Sequence, residues 1–171
     1  MQSRFSIFGH PLHPMLITLP IGLFSWALVA DIVYLLTDRD MTWYDISYWT
    51  GIAAVVTALV AALPGFGDYV TMALRSDGRG IATLHMLLNL SVVALFVVGA
   101  ILQYDEGATS GASLTAVVVL HLVGVGLLAL SGWLGGELSY RHHLAIIPDD
   151  AEQERAEHAR HELRPEARPR S

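Results

Sequence analysis

The first long apolar segment, Met15–Leu36, has the sequence MLITLPIGLFSWALVADIVYLL, in which Asp31 is the one charged residue. A helix rises about 1.5 Å per residue, so a run of this length crosses the roughly 30 Å hydrocarbon core of a bilayer. A soluble helix would carry a polar face, which this segment lacks. Three further runs share these properties: Ile46–Leu63, Ile81–Leu102 and Leu114–Leu134. The sequence therefore predicts an all-α integral membrane protein, a four-helix bundle with short loops.

The predicted organisation is a transmembrane domain over residues 1–147, followed by a tail over residues 148–171. The four helices are expected at about residues 14–36, 44–63, 81–103 and 114–136. The tail is rich in acidic and basic residues from Asp149 onward, and so polar a segment is expected to be a mobile cytoplasmic tail. The net charge of -6 comes partly from this tail, so it does not indicate a nucleic-acid partner.

The arginines predict the orientation, because the chain contains no lysine. Cytoplasmic loops of membrane proteins are enriched in basic residues. Arg39 stands alone on the side of the first helix connection, between Asp38 and Asp40. The basic residues near the helix ends on the side of the two termini are Arg4, Arg75, Arg79 and Arg141. We therefore expect both termini in the cytoplasm.

Histidines and carboxylates gather at the predicted cytoplasmic ends of the helices. His85 lies about one turn inside the third helix, and Asn89 follows one turn later on the same face. An imidazole in hydrocarbon is costly unless it is hydrogen-bonded, bound to a metal or facing water. The other residues expected at this depth are His10, His13, Asp68, Glu137, His142 and His143. Their shared depth predicts a site in this inner layer.

Two chemistries suit the inner layer. Two axial imidazoles from different helices suit haem b, with His85 paired with His13 or His10 and with His142 or His143 as substitutes. Asn89 would then orient the ligand or a propionate. Cysteine is absent, so a transition metal would rest on imidazoles and carboxylates. The candidate metal ligands are His13, His85, Asp68 and Glu137. The alternative is that these histidines only bond to carbonyls or reach the headgroups.

Asp31 and His121 form a candidate second layer in the outer half of the bundle. Either residue could instead satisfy itself against water or a carbonyl. At about 1.5 Å per residue, His85 and His121 differ in depth by roughly 15 Å, so one haem does not join them. The hydroxyl residues expected to bond back to their own helices are Thr18, Ser25, Thr57, Ser91 and Ser131.

Five motifs carry a resemblance to a known family. They are GHPLHPML at residues 9–16, LPIGL at 19–23, PGFGDY at 64–69, LHMLLN at 84–89 and SGWLGGELSYRH at 131–142. Over about residues 9–147 the chain resembles an uncharacterised prokaryotic four-helix membrane family, a domain of unknown function. Some members are fused to a Rieske iron–sulfur domain. Many members have histidine where this chain has Thr18, and glycine where it has His143.

The resemblance implies a bacterial or archaeal cell membrane and a Rieske-type or other redox partner. Three functions remain open: a redox subunit that binds haem b or a metal, a metal- or proton-handling carrier, and a scaffold without site chemistry. The chain shows no P-loop, nucleophile elbow, zinc-protease helix or dinucleotide fingerprint, so the sequence disfavours an enzyme of those classes. A homodimer is compatible with the sequence.

Overall fold

The chain folds into four long helices. The computed structural model describes residues 5–8, 10–72, 78–106, 111–141 and 158. Within these residues the strands amount to one antiparallel pair of two residues each, so the predicted all-α membrane bundle is confirmed. The elements are β1 (Ser6–Ile7), β2 (His10–Pro11), α1 (Leu12–Leu16), α2 (Thr18–Leu36), α3 (Met41–Met72), α4 (Arg79–Glu106) and α5 (Gly111–Arg141).

Four helical segments are long and apolar enough to span a membrane, namely Leu12–Leu36, Met41–Val70, Arg79–Tyr104 and Leu114–Tyr140. Between 17% and 33% of the most apolar 18 residues in each are buried inside the chain. Most apolar side chains therefore face outward, where lipid is an apolar solvent. We call the end of the bundle that holds residues 12 and 141 the termini side. The opposite end, which holds residues 36–41, is the hairpin side.

Each helix contacts its neighbours along one stripe of residues, which we call its seam. Buried positions recur along a seam every three or four residues. Such spacing keeps one stripe of a helix facing its neighbours in a bundle with shallow crossing angles. The seam of α4 contains the half-buried His85 and Asn89 and the buried Val92, Phe96, Gly99 and Gln103. The seam of α5 contains Leu114, Val117, His121, Gly124, Leu128, Ser131 and Leu138. Polar residues thus occupy positions that an apolar core would fill.

The apolar core lies between the two ends of the bundle and draws on all four long helices. Phe24 of α2 and Phe96 of α4 form its centre, with ring centroids 4.4 Å apart. Helices α2 and α3 pack as one hairpin and α4 and α5 as another, and contacts of α2 with α5 and of α3 with α4 close the ring. The other buried members of this core are Ala27, Ala54, Val92 and Leu128.

Two prolines lie where the first two helices depart from the predicted bounds. The first span is divided at Ile17 into α1 and α2, because Pro20 has no N–H to donate to the carbonyl of Leu16 and crowds that turn. The second was expected to end at about residue 63, but α3 continues through Pro64 to Met72. Asp68, expected just beyond that helix, therefore lies within it.

The strand pair folds the start of the chain back on itself at the termini side. Ile7 pairs with His10, and Phe8 between them has a left-handed φ of 50°. The Leu12 N–H then donates to the Phe5 carbonyl at 2.9 Å, which fixes the start of α1. Helix α1 packs against α3. His13 is therefore brought beside the termini-side half of α3. The predicted tail, residues 148–171, lies outside the described residues apart from His158.

The connection between α2 and α3 is a tight turn that ends in a helix cap. Asp38 and Arg39 adopt left-handed φ values of 48° and 63°. The Asp40 carboxylate accepts a hydrogen bond from the Thr42 N–H at 2.9 Å, as an N-cap residue does. The backbone and side-chain hydrogen bonds from Thr42 hold the pKa of the Asp40 carboxyl below its ordinary value.

We predict that Asp40→Ala lowers the thermal midpoint of the detergent-solubilised protein at pH 7, because α3 loses its cap. A carboxyl whose pKa is lowered on folding stabilises the protein above the unfolded pKa of about 3.9, and this contribution is lost as pH falls through the folded pKa. The difference between Asp40→Ala and the parent protein should shrink in that acid range. Asp40→Asn, which retains a cap, is the control. A deficit equally large at neutral and acid pH would contradict the assignment.

Candidate functional site

A buried acid–base pair lies in the hairpin-side half of the bundle. His121 Nδ1 is 2.6 Å from Asp31 Oδ2, and Ser47 Oγ donates to Asp31 Oδ1 at 2.5 Å. The exposed fractions are 2% for Asp31, 1% for His121 and 0% for Ser47. The structure thus brings together the two residues of the predicted second layer and adds a hydroxyl from α3. We call these three residues the acid–histidine cluster.

Helix α4 completes the packing around His121. The Phe96 ring stacks on the imidazole with centroids 4.1 Å apart and planes 8° from parallel. On α4, one turn nearer the hairpin side, Gly99 approaches so closely that a Cβ there would lie 2.6 Å from His121 Nε2. The ring therefore has no freedom to move aside, and every long helix contributes to its surroundings.

A second polar cluster lies toward the termini side. His85 Nδ1 is 2.8 Å from the Ser131 carbonyl, and Asn89 Nδ2 is 3.2 Å from His85 Nε2 and 2.6 Å from Ser131 Oγ. The His13 ring stands nearly perpendicular to the His85 ring, at 89°, with centroids 6.4 Å apart. We call His13, His85, Asn89 and Ser131 the histidine-pair cluster.

The hydrogen bonds assign the tautomer of both rings in this cluster. His13 Nδ1 is 2.8 Å from the Ala61 carbonyl, and His85 Nδ1 bonds to the Ser131 carbonyl. A carbonyl only accepts, so Nδ1 carries the proton in each ring and Nε2 is the basic nitrogen of the neutral form. Asn89 Nδ2 donates toward Nε2 of His85. The two imidazoles are therefore held in the orientation that metal-binding and proton-accepting histidines share.

Glycines on neighbouring helices also lie directly against the His13 and His85 rings. A Cβ at Gly65 would lie 2.6 Å from His13 Nδ1, and a Cβ at Gly135 would lie 3.2 Å from His85 Cε1. The backbones of α3 and α5 therefore press directly against the imidazoles. Each bundle histidine is matched by a glycine on a neighbouring helix.

The remaining predicted site residues have separate positions. His10 is exposed and its Nδ1 donates to the Phe8 carbonyl at 3.0 Å. Asp68 and Glu137 are half-buried toward the ends of α3 and α5. Among the described residues, no group of three or more His, Asp or Glu side chains converges on a metal position, so the predicted four-ligand set is not assembled. His142 and His143 lie outside the described residues.

The spacing of the histidine pair bears on the cofactor prediction. Two imidazoles bound on opposite sides of one metal ion, each at about 2.0–2.1 Å, place their ring centroids about 6 Å apart, which is close to the 6.4 Å observed. Asn89 Nδ2 lies 3.2 Å from His85 Nε2, so a metal ion or a haem iron would bind at that nitrogen only with Asn89 moved aside.

Two hydroxyl residues of the clusters, Ser47 and Ser131, were not predicted as site residues. Ser47 was not singled out, and Ser131 was expected to bond to its own helix but contacts His85 and Asn89 of α4. Both lie in phase with the buried seams, which is the signal that could have found them. Ser25, Thr57 and Ser91 bond to their own helices as predicted, whereas Thr18 at the start of α2 bonds to the Met15 carbonyl of α1.

Comparison with known families identifies the chain at the level of family. The model of a family described as Predicted membrane protein (DUF2231) matches residues 9–148, which include both polar clusters. The chain belongs to the DUF2231 family. No curated protein and no solved structure matches it. Family membership and the four apolar helices together establish a multi-pass membrane protein.

In this DUF2231 protein an apolar layer separates the two polar clusters. His85 and Phe96 are eleven positions apart on α4, about 16 Å at 1.5 Å per residue. Val92 and Phe96 are 1% exposed and Phe24 is 2% exposed. The clusters therefore lie at two depths with closely packed side chains between them.

We predict that Gly99→Ala destabilises the protein by about 1–3 kcal/mol, the usual cost of overpacking. The added methyl would meet His121, which is pinned by Asp31 and Phe96 and cannot yield. Gly126→Ala is the matched control, because it is exposed on α5 and has no atom within 4 Å of its Cβ position. Thermal unfolding in detergent measures both, and equal midpoints for the two variants would refute the prediction.

Proposed function

We propose that this protein handles protons in the membrane, and that the acid–histidine cluster is the group that binds and releases them. The observation that carries the proposal is the 2.6 Å contact of Asp31 with His121 at 2% and 1% exposure within apolar spans. Ionisable residues inside a membrane are costly and are characteristic of proton relays and ion pathways. A purely structural contact between these helices would not need two titratable groups.

The chemistry of the pair favours a single exchangeable proton. With Asp31 ionised and His121 neutral, the pair carries one negative charge, and one added proton makes it neutral overall. A second proton would leave a net positive charge in a medium of low dielectric constant, which is strongly unfavourable. The Ser47 hydroxyl bonds to the ionised carboxylate and stabilises it.

The histidine-pair cluster supplies proton acceptors at the other depth. His13 and His85 each keep Nε2 as the basic nitrogen, and protonating both would put two positive charges on rings 6.4 Å apart. This cluster also favours one proton at a time. The arginine bias supports placing the termini side, and with it the histidine pair, at the cytoplasmic face. The apolar layer between the clusters argues for gated transfer rather than an open pore.

We expect Asp31→Asn to reduce proton flux at least tenfold, because the amide keeps the shape of the carboxyl but cannot exchange a proton. The measurement uses purified protein in vesicles that contain a pH-sensitive dye, with an imposed pH gradient and a potassium ionophore to clamp the potential. Asp45→Asn is the matched control, since Asp45 is an exposed acid near Ser47 at the start of α3. Parent protein that moves protons no faster than empty vesicles would overturn the proposal.

The spacing and tautomers of the histidine pair favour a second candidate, a redox subunit with a transition metal held by His13 and His85. A Rieske-type or other redox protein would be its partner. The ring separation of 6.4 Å and the two Nδ1–carbonyl bonds support metal binding at the Nε2 atoms, with Asn89 displaced from His85 Nε2 when the metal binds.

We expect one equivalent of a transition metal in colourless protein expressed in a haem-replete host, reduced at least fivefold in His85→Ala. Metal analysis and an absorption spectrum on the same sample measure this. His10→Ala is the control, because His10 is exposed and bonds to Phe8. Metal-free, colourless protein would remove the metal and haem candidates together. Sharp low-spin bands that depend on His85 would instead favour haem b.

A further inference from the structure

The side-chain amide of Gln103 stands out within the bundle. Gln103 is 5% exposed, and its Nε2 is the buried side-chain nitrogen or oxygen atom that has no hydrogen-bond partner among the residues the structure describes. Buried polar groups in proteins are almost always paired, either with protein or with ordered water. An unpaired amide donor at this depth therefore points to a ligand that accepts a hydrogen bond.

The position of Gln103 relates it to the acid–histidine cluster. Gln103 is four residues beyond Gly99 on α4, which is about 6 Å, one turn nearer the hairpin side on the same face. Tyr34 and Tyr44 lie one turn from Asp31 and Ser47 in the same direction, on α2 and α3. The next layer outward from the acid–histidine cluster is therefore formed by Tyr34, Tyr44 and Gln103.

This layer closes the bundle above the cluster. Tyr34 is 1% exposed, Tyr44 is 9% exposed and their rings are 5.7 Å apart, with Leu114 of α5 packed beside them. The Tyr44 hydroxyl donates to the Gln103 backbone carbonyl at 2.5 Å. These side chains lie between the acid–histidine cluster and the hairpin-side end of the bundle, and Gln103 Nε2 is the donor that they leave unsatisfied.

We propose that Gln103 Nε2 binds a buried water molecule, and that this water is the point through which protons pass between the hairpin-side surface and the acid–histidine cluster. The binding of the water stands on the geometry alone. Its role in transfer rests on the proposed function.

The chemistry of the site selects water. The ligand must accept a hydrogen bond from Nε2, which excludes an apolar molecule, and an anion would be repelled by the Asp31 carboxylate one turn away. Water accepts from Nε2 and donates to the Tyr44 hydroxyl, which keeps its lone pairs after donating to the Gln103 carbonyl. In each transfer one proton joins the water oxygen from the surface side and one leaves it toward the cluster, so the water is unchanged.

The water itself is tested by NMR on detergent-solubilised protein labelled with ¹⁵N-glutamine. The chain has three glutamines, Gln2, Gln103 and Gln153, and the Gln103 signal is assigned by its loss in Gln103→Leu. We expect a magnetisation-transfer peak between the Gln103 side-chain amide and a long-lived water. An assigned amide without such a peak would overturn the site.

The transfer role is tested by proton flux in vesicles. We expect Gln103→Leu to slow flux at least tenfold and Gln103→Met to do the same, so that a folding defect in one variant does not decide the result. Tyr104→Phe is the matched control, since Tyr104 is the adjacent residue and is 78% exposed. Unchanged flux in both Gln103 variants would overturn the transfer role. Parent protein without flux would defeat the proposed function, and the NMR result would still decide the water site.

Discussion

The contact between the Asp31 carboxylate and the His121 imidazole is the interaction on which the bundle depends most. It joins α2 to α5, while Ser47 brings in α3 and Phe96 and Gly99 bring in α4. Lipid supplies no hydrophobic force between helices, so close packing and polar contacts must hold them together. Removing one partner of a buried hydrogen bond costs about 1–3 kcal/mol, because the polar group that remains is left without a partner. The contact therefore helps to fix how the four helices lie against one another.

The fold could be predicted from the sequence because the solvent is lipid. Long uncharged runs such as Met15–Leu36 leave helices as the structure that satisfies every backbone group, and the depth of His85 follows from a fixed rise per residue. Helix ends were predicted less well at Pro20 and Pro64, since proline weakens a helix without always ending it. The path of α3 through Pro64 depends on packing against other helices, which periodicity does not encode.

The sequence predicted the depths of the candidate site residues in the membrane but not the directions of their side chains. Asp31 with His121, and His13 with His85, share a depth, and the structure places each pair in contact. Asp68 and Glu137 share a depth with the histidines as well, yet the described side chains form no metal-binding group of three. Depth follows from counting residues, whereas the direction of a side chain follows from helix rotation. The recurrence of buried residues every three or four positions indicates the rotation of each helix, and Ser47 is at one of the buried positions of α3.

The break at Ile17 separates the short helix α1 from helix α2, which follows it in the first span. Helix α1 packs against α3, and His13 bonds to the Ala61 carbonyl of α3, while Pro20 removes a backbone bond that would tie α2 to α1. The position of the His13 ring is therefore set by α3 and not by the course of α2 beyond Ile17. One apolar span thus supplies a residue to each polar cluster, His13 before the break and Asp31 after it.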